Sequence, residues 1–496
     1  MAEFQEEWRK YWMDMVEREQ AVASEKAAVL HGDKERAAKQ HADGKNTARE
    51  RIAKLFDAGS FVEMDALRKD SNLVAGFGTV KGCAAYCFAQ DYASCGGAMT
   101  KEQADKIMKL LNMAKTAGAP VVALLDSAGV KITEGAASLP AYAGILQAMA
   151  RLSGVCPMIC CVMGPCVGLS ALLTQVCDFT IQVKKTGTVA LHSALVMNQE
   201  KGREKTAEQL FGADTMVAQG VCAVAAENEE AAFAQVAALL DLLPACNMED
   251  APLVEADDLN RLTACEDAED ASSLMADLAD ENKLVKLYAG YGDEVQVALC
   301  RIGGRTCGLV AADHAKDDGR LTAAACKKAA RFIRLCDCYH LPVVSLVNTD
   351  GLSVPCPCGQ GDLIRGAADL CFAYSEATAP KIAVITGSAV GAAYVAMGGK
   401  ASADMAYAWP GAMIAPLTAQ AAVQTFDGEK LNAGESREAL ENQYQESCGA
   451  LFAARQGMVD DVIEPRETRK HIIAALEMLL SKHDVNLPKK HGNLPL

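Results

Sequence analysis

The chain repeats itself at a fixed spacing. Pro120-Val121-Val122 and the following Asp126-Ser127-Ala128-Gly129 return 222 residues later as Pro342-Val343-Val344 and Asn348-Thr349-Asp350-Gly351. Val80-Lys81-Gly82 and Ala89-Gln90-Asp91 return at the same offset as Ile302-Gly303-Gly304 and Ala311-Ala312-Asp313. Pro157, Gly164 and Gly168 return at an offset of 223 as Pro380, Gly387 and Gly391. A near-constant offset held this long marks two copies of one domain. Length alone suggests about three domains. The repeat instead divides the 496 residues into a helical arm (1–60), a first copy (61–248), a connector (249–283) and a second copy (284–496).

Within each copy the pattern reads hairpin, helix, buried strand, glycine turn, amphipathic helix, buried strand, glycine turn, helix. Lys101 to Ala117 places Ile107, Leu110, Leu111 and Met113 at helical spacing, and Val121 to Leu125 is a short β-rich run. Strands alternating with helices predict an α/β fold with mostly parallel crossovers. Each second strand is expected to end at its glycine, Gly164 or Gly387. The uncharged run from Gly154 to Cys177 is long enough to cross a bilayer, but Pro157, Gly164, Pro165 and Gly168 break it into strand, turn and helix start, so it reads as buried core. The first sixty residues, rich in Lys, Arg, Glu and Ala, predict the helical arm.

Charge excludes one class of partner. With 48 Lys+Arg against 64 Asp+Glu the net charge is −16, and a nucleic-acid binder would show a basic face. The stretch from Glu249 to Glu281 holds twelve carboxylates, Glu266 among them, against one base, Arg261, so it carries −11 of that total. It reads as a solvated connector, with an acidic docking surface as the alternative. Most of the 20 cysteines, such as Cys156, Cys160, Cys161 and Cys166, lie in apolar runs, where they act as small buried hydrophobes. The opening MAEFQEEWRKYW lacks a signal-peptide core, and a reducing cytoplasm is the expected setting.

The two glycine turns are the best chemical candidates. Gly168 and Gly391 each open a helix of small residues, whose first amides lack helical partners and lie at the positive end of the dipole. A second donor could come from Ala128-Gly129 in one copy and Gly351-Leu352 in the other. Two converging amides make an oxyanion hole; the alternative is that these glycines only permit close helix–strand packing. Other motifs carry less. Gly398-Gly399-Lys400 lacks the leading glycine and following hydroxyl of a phosphate loop, so no ATP site is expected. Met108-Lys109-Leu110 lies in mid-helix, where a biotinylated lysine would not, and Ser170 lacks the second glycine of a nucleophile elbow. Cys336/Cys338 and Cys356/Cys358 are spaced too tightly for a zinc knuckle, and the eight His are scattered; only His192 could line a pocket, and it reads better as a core or surface histidine. No metal site is expected. Chemistry that leans on backbone donors suits a thioester enolate.

Several ordered stretches resemble the carboxyltransferase subunits of biotin-dependent acyl-CoA carboxylases and decarboxylases, such as the propionyl-CoA carboxylase β and methylmalonyl-CoA decarboxylase α subunits. They are Gly44-Lys45-Asn46-Thr47-Ala48-Arg49-Glu50-Arg51-Ile52, Phe88-Ala89-Gln90-Asp91, Asp126-Ser127-Ala128-Gly129 with Glu134-Gly135, Gly164-Pro165-Cys166, Tyr374-Ser375-Glu376-Ala377-Thr378-Ala379-Pro380, Tyr407-Ala408-Trp409-Pro410 and Pro488-Lys489-Lys490-His491-Gly492-Asn493. The resemblance implies a tandem crotonase-like ββα spiral assembled as a trimer of dimers. Acyl-CoA would be held by the N-terminal copy of one subunit, and carboxybiotin by the C-terminal copy of its neighbour. It places the acyl-CoA oxyanion site on Gly168, Leu169 and Ser170 with Ala128 and Gly129, and the biotin-urea site on Gly391, Ala392 and Ala393 with Gly351. Val395 would border the acyl pocket. The implied cofactor is biotin on a separate carrier protein. The implied partners are that carrier and either a biotin carboxylase subunit or membrane decarboxylase subunits; the latter would hold the chain at the membrane periphery.

The chain departs from the family pattern. Gly168-Leu169-Ser170 and Gly391-Ala392-Ala393 stand where the family has Gly-Gly-Ala, Ser127-Ala128-Gly129-Val130-Lys131 replaces Ser-Gly-Gly-Ala-Arg, and Asp350-Gly351-Leu352 replaces Pro-Gly-Phe. An amide still donates when its residue gains a side chain, but Leu169 adds bulk beside the ligand. Two alternatives follow: a non-catalytic scaffold subunit, and a crotonase-type hydratase for which Glu134 is the only tempting acid, itself better placed as a capping residue.

Overall fold

Lys81-Gly82 and Gly303-Gly304 are two-residue turns in which every residue has positive φ (48, 82, 62 and 78°), the geometry whose twist matches flanking strands. A computed structural model describes residues 2–31, 34–68, 73–202, 204–265, 267–482, 484–485 and 487–495. It divides into two compact units, Met1–Met216 with Ala225–Ala237, and Val217–Val224 with Ala238–Leu496.

The first sheet contains β1 (Val62–Met64), β2 (Leu73–Val80), β3 (Cys83–Gln90), β4 (Val121–Ser127), β5 (Met158–Val167), β6 (Phe179–Val183), β7 (Thr188–Ala190) and β8 (Val224–Ala226). Its order is β1-β2-β3-β4-β5-β6-β8, with β7 beside β5. The second contains β9 (Leu284–Leu287), β10 (Val295–Ile302), β11 (Arg305–Ala312), β12 (Val343–Thr349), β13 (Lys381–Val390), β14 (Met405–Ala408), β15 (Met413–Ala415) and β16 (Asp461–Val462). Its order is β16-β14-β13-β12-β11-β10-β9, with β15 beside β13. Both begin with antiparallel hairpins and continue in parallel through β3-β4-β5 and β11-β12-β13. The duplicated α/β architecture read from the offset is thus present strand for strand.

The helix Lys101–Ala117 starts where Thr100 accepts from Gln103 N and stops at Gly118, whose φ is 65°. Ile107, Leu110 and Leu111 are buried, each stabilising the fold by about 1.5 to 3 kcal/mol, while Met113 is only half-buried. The uncharged run Gly154 to Cys177 becomes β5 and the helix Leu169–Val176. Among the described residues no helix is long and apolar enough to cross a membrane. The arm forms helices Ala2–His31, Lys34–Ala42 and Ala48–Leu55, the last opened by a capping box between Thr47 and Glu50.

Two expectations are corrected. The second strand of each copy does not end at its glycine, because β7 and β15 pair with Pro165–Val167 and Ser388–Val390 and carry the strand three residues further. The acidic stretch is a solvated connector only in part: Glu249, Asp250, Glu255, Asp258, Asp267, Glu269, Asp270 and Glu281 are exposed, but its C-terminal end is built into the second unit. Asp270 caps the helix Ala271–Leu278, whose Leu274, Met275 and Leu278 lie in the core of the second unit. Asp257 and Asp280 neutralise the fully buried guanidinium of Arg469, and Asp277 pairs with Arg261 at 2.9 Å. For Asp257 and Asp280 the composition hid the partner, because Arg469 is 212 and 189 residues away in sequence. Glu266 lies outside the described residues.

Candidate functional site

In each unit the two glycine turns are brought together at the end of the central strands. Gly129 has φ 111°, and a Cβ there would lie 3.4 Å from Val167 O; Gly351 has φ 123°, and its Cβ would lie 4.0 Å from Val390 O. Gly168 caps the helix Leu169–Val176 with φ 70° and ψ −131°, and Gly391 is the first residue of the helix Gly391–Ala396 with φ 57°. L side chains rarely adopt these conformations. The space over Gly168 is open, with no atom within 4 Å of where a Cβ would be.

The donors differ in availability. Ala128 N donates to Gly96 O at 2.9 Å and Gly129 N to Ser127 Oγ at 3.1 Å, so a ligand oxygen would have to displace these acceptors. Leu169 and Ser170 are the first helical residues after Gly168, and their amides meet no acceptor among the described residues. Sequence reasoning missed Val130. Lys131 N and Gly129 O both bond Met99, so strand alternation turns the Val130 amide away from Met99, and it meets no acceptor among the described residues. Leu352 is its counterpart, paired in the same way with Leu321. The repeat offset itself could have flagged Val130, because it aligns with Leu352. Ala392 and Ala393 occupy the first turn of their helix, where amides lack internal partners. Ala392 is exposed and Leu169 half-buried. Val395 is 60% exposed on the same short helix as Ala392.

The two copies secure their turns by different chemistry at one equivalent position. The register of β4 on β5 slips between Leu125 and Ser127, and that of β12 on β13 between Val347 and Thr349. Asp126 and Asn348 occupy the slips, with their side chains laid across Gly164 and Gly387. A Cβ on either glycine would fall 2.0 Å from Asp126 Oδ1 or 2.3 Å from Asn348 Oδ1. Asp126 is fully buried and held by Lys45 Nζ (3.1 Å to each oxygen) and Arg51 Nη1 (2.9 Å), both supplied by the arm. Arg51 also reaches Glu229 at 2.7 Å, and Asn46 Nδ2 donates to Glu229 at 2.6 Å. Burial opposes the Arg51 charge, but Asp126 and Glu229 outweigh it and hold the guanidinium above its ordinary pKa. Lys45 also lies 3.9 Å from the centroid of Tyr92. Asn348, uncharged, accepts from Ser388 N and donates to Ala268 O, both at 2.8 Å. Around it opens a cleft of about 760 Å³ lined by Glu269, His314, Ser388 and Trp409, which includes none of Gly351, Gly391, Ala392 or Ala393.

The remaining motifs have structural roles. Ser170 Oγ lies 2.6 Å from Tyr142 OH in the interior, and burial pushes that phenol up to about 12. Lys109 pairs with Asp65 at 2.7 Å and Lys400 with Asp460 at 2.6 Å. Glu134 accepts from Lys101 N at 3.1 Å, and His192 is exposed. No group of three or more His, Cys, Asp and Glu that could hold a metal occurs among the described residues.

Residues 39–494 match the carboxyl transferase domain. The methylmalonyl-CoA decarboxylase subunit alpha of Veillonella parvula is 37% identical over 96% of this chain and 100% of its own length. The carboxyltransferase subunit of propionyl-CoA carboxylase from Haloferax mediterranei is 36% identical over 95% of this chain and 97% of its own. Among solved structures, a transcarboxylase 12S with methylmalonyl-coenzyme A and methylmalonic acid bound, described as a hexamer assembly, superposes with a TM-score of 0.93 at 33% identity, covering 97% of this chain and 99% of that one.

Proposed function

We propose, from the premise that the chain belongs to the carboxyl transferase family, that it is the carboxyltransferase component that moves a carboxyl group between a biotin carrier and the α-carbon of a short acyl-CoA, propionyl-CoA or methylmalonyl-CoA. The observation that carries this reading is the pair of repeated turns, Gly129 against Val167-Gly168 and Gly351 against Val390-Gly391. A turn pair of this kind presents amides to a developing oxyanion and needs no side-chain acid.

In the N-terminal copy the amides of Leu169 and Ser170, joined by those of Ala128, Gly129 or Val130, receive the thioester oxygen as it gains enolate charge. Each such donor stabilises the transition state by about 3 to 4 kcal/mol. In the C-terminal copy the amides of Ala392 and Ala393 receive the ureido oxygen, joined by Gly351 N once that oxygen displaces Thr349 Oγ1, to which Gly351 N donates at 3.2 Å. The open space over Gly168 and the exposure of Ala392 fit the approach of these groups. Biotin, carried in on its own protein, supplies the nitrogen that holds or takes up the carboxyl group. Val395 borders the acyl pocket. A hexamer built as a trimer of dimers, in a cytoplasmic setting, would set the acyl half of one subunit against the biotin half of a neighbour. The partner is a biotin carboxylase or, where the reaction runs as decarboxylation, a membrane-bound assembly.

Methylmalonyl-CoA with free biotin should yield propionyl-CoA. The absence of turnover with every short-chain malonyl-type CoA would refute the reading. Leu169 motivates one competing role, a scaffold subunit without activity; in that case Leu169→Gly should bring activity up from nothing, and turnover by the native chain removes the competitor.

A further inference from the structure

The two cysteine pairs of spacing two differ in environment: Cys338 is exposed but its neighbour Cys336 is not. Cys336 is fully buried and burial pushes its thiol far above the ordinary range, so Cys338 has no reactive thiol beside it. Cys356 and Cys358 are both exposed, on the loop that leads from Gly351 to the seventeen-residue helix Gln360–Glu376. We propose that Cys356 and Cys358 form a reversible dithiol–disulfide site, with Cys356 as the attacking thiol and Cys358 as the resolving one.

Three features of the loop support this assignment. First, Pro357 stands between the cysteines at the start of a 3₁₀ turn. One residue in helical conformation sets its flanking Cα atoms about 5.4 Å apart, within the range a disulfide spans. Second, Gly359 N donates to Cys356 O at 2.8 Å, and Cys356 Sγ lies 3.9 Å from where a Gly359 Cβ would be, so the sulfur is held over the residue that opens the long helix. That end of a helix favours negative charge. Third, the neighbouring Cys358 and the Gly359 amide hold the Cys356 thiol below its ordinary range. The neighbour that lowers the attacking thiol is thus the one placed to resolve it.

The chemistry closes with a small disulfide, RSSR, as oxidant. The Cys356 thiolate attacks one sulfur of RSSR, forming a mixed disulfide and expelling RS⁻. Cys358 then attacks Cys356 Sγ and expels the second RS⁻. The protein gives up two electrons and two protons, and RSSR becomes two RSH.

The test treats the full-length protein with glutathione disulfide, alkylates the remaining thiols and measures the peptide that carries both residues. That peptide should escape alkylation, weigh about 2 Da less than the dithiol form and recover both thiols on treatment with dithiothreitol. Cys358→Ser should stop at the mixed disulfide on Cys356. Cys356→Ser should slow reaction at Cys358 at least tenfold. Both residues are exposed, so neither variant challenges folding. The assignment is overturned if both cysteines stay separately alkylated, or if the other exposed cysteines, Cys95 and Cys338, react as fast as Cys356.

Discussion

Arg51 Nη1 lies 2.9 Å from Asp126 Oδ2, with both side chains fully buried. The contact spans 75 residues of sequence and ties the helical arm to the residue immediately before Ser127-Ala128-Gly129. The arm is therefore part of the support of the Ala128-Gly129 turn. In the second copy Asn348 performs the same spanning task with neutral hydrogen bonds, and no cation is needed.

Removing Arg51 leaves two buried carboxylates, Asp126 and Glu229, short of their shared cation. Arg51→Ala should destabilise the protein by about 3 to 5 kcal/mol in urea unfolding. Lys45→Ala should cost less, because Asp126 retains Arg51. An equal loss for the two variants would show that the guanidinium is not the main partner.

Gly164 and Gly387 should not tolerate alanine, because the new Cβ would overlap the Asp126 or Asn348 side chain and displace it from the register slip. Losses above roughly 3 kcal/mol are expected in thermal or chemical unfolding. Gly168→Ala meets open space and suffers only its positive φ, so its loss should be about 1 to 2 kcal/mol. Comparable losses at Gly164 and Gly168 would contradict this division between overlap and backbone strain.

Leu169→Pro separates the amide from the fold. Proline suits the first helical position, where no intrahelical bond is lost. The variant should unfold like the native protein but lose about 10²- to 10³-fold in kcat. Unchanged kcat with intact folding would remove Leu169 N from the donors.

Lys328 is buried, donates to Tyr288 O at 3.5 Å, and has its pKa pulled by burial from 10.5 to about 8. At this site the unfolded chain therefore binds more protons than the folded one between about pH 8 and 10.5, so the Lys328 contribution to stability should rise with pH through that window. The buried cysteines, whose thiols burial raises, act in the opposite sense above about pH 9. Below pH 8 the cost of the buried ammonium is fully present. Lys328→Met should raise stability at pH 7, and its advantage over the native protein should shrink between pH 8 and 10.5. A stability difference between Lys328→Met and the native protein that stays constant from pH 8 to 10.5 would refute the assignment. The counterpart in the first copy, Lys106, is likewise lowered by burial and donates to Leu73 O at 2.9 Å.

The glycine turns were legible as a pattern because a positive φ leaves a mark in composition, and Gly129, Gly168, Gly351 and Gly391 all carry one. Which amides stand open was not legible. Ala128 and Gly129 looked equivalent to Leu169, yet their hydrogens are taken by Gly96 O and Ser127 Oγ. The Val130 amide emerged only from its pairing opposite Met99.

By itself the sequence determined the duplication, the hairpins and the strand–helix alternation, because these depend on local propensity and on spacings that recur along the chain. The tertiary structure alone decided where charge is neutralised. Lys45 and Arg51 meet Asp126 across 81 and 75 residues, and Asp257 and Asp280 meet Arg469 across 212 and 189. The strength of an ion pair depends on distance through space and on burial, neither of which a linear pattern encodes. The same holds for the slips at Asp126 and Asn348, where one glycine per copy exists to make room for a side chain on the neighbouring strand.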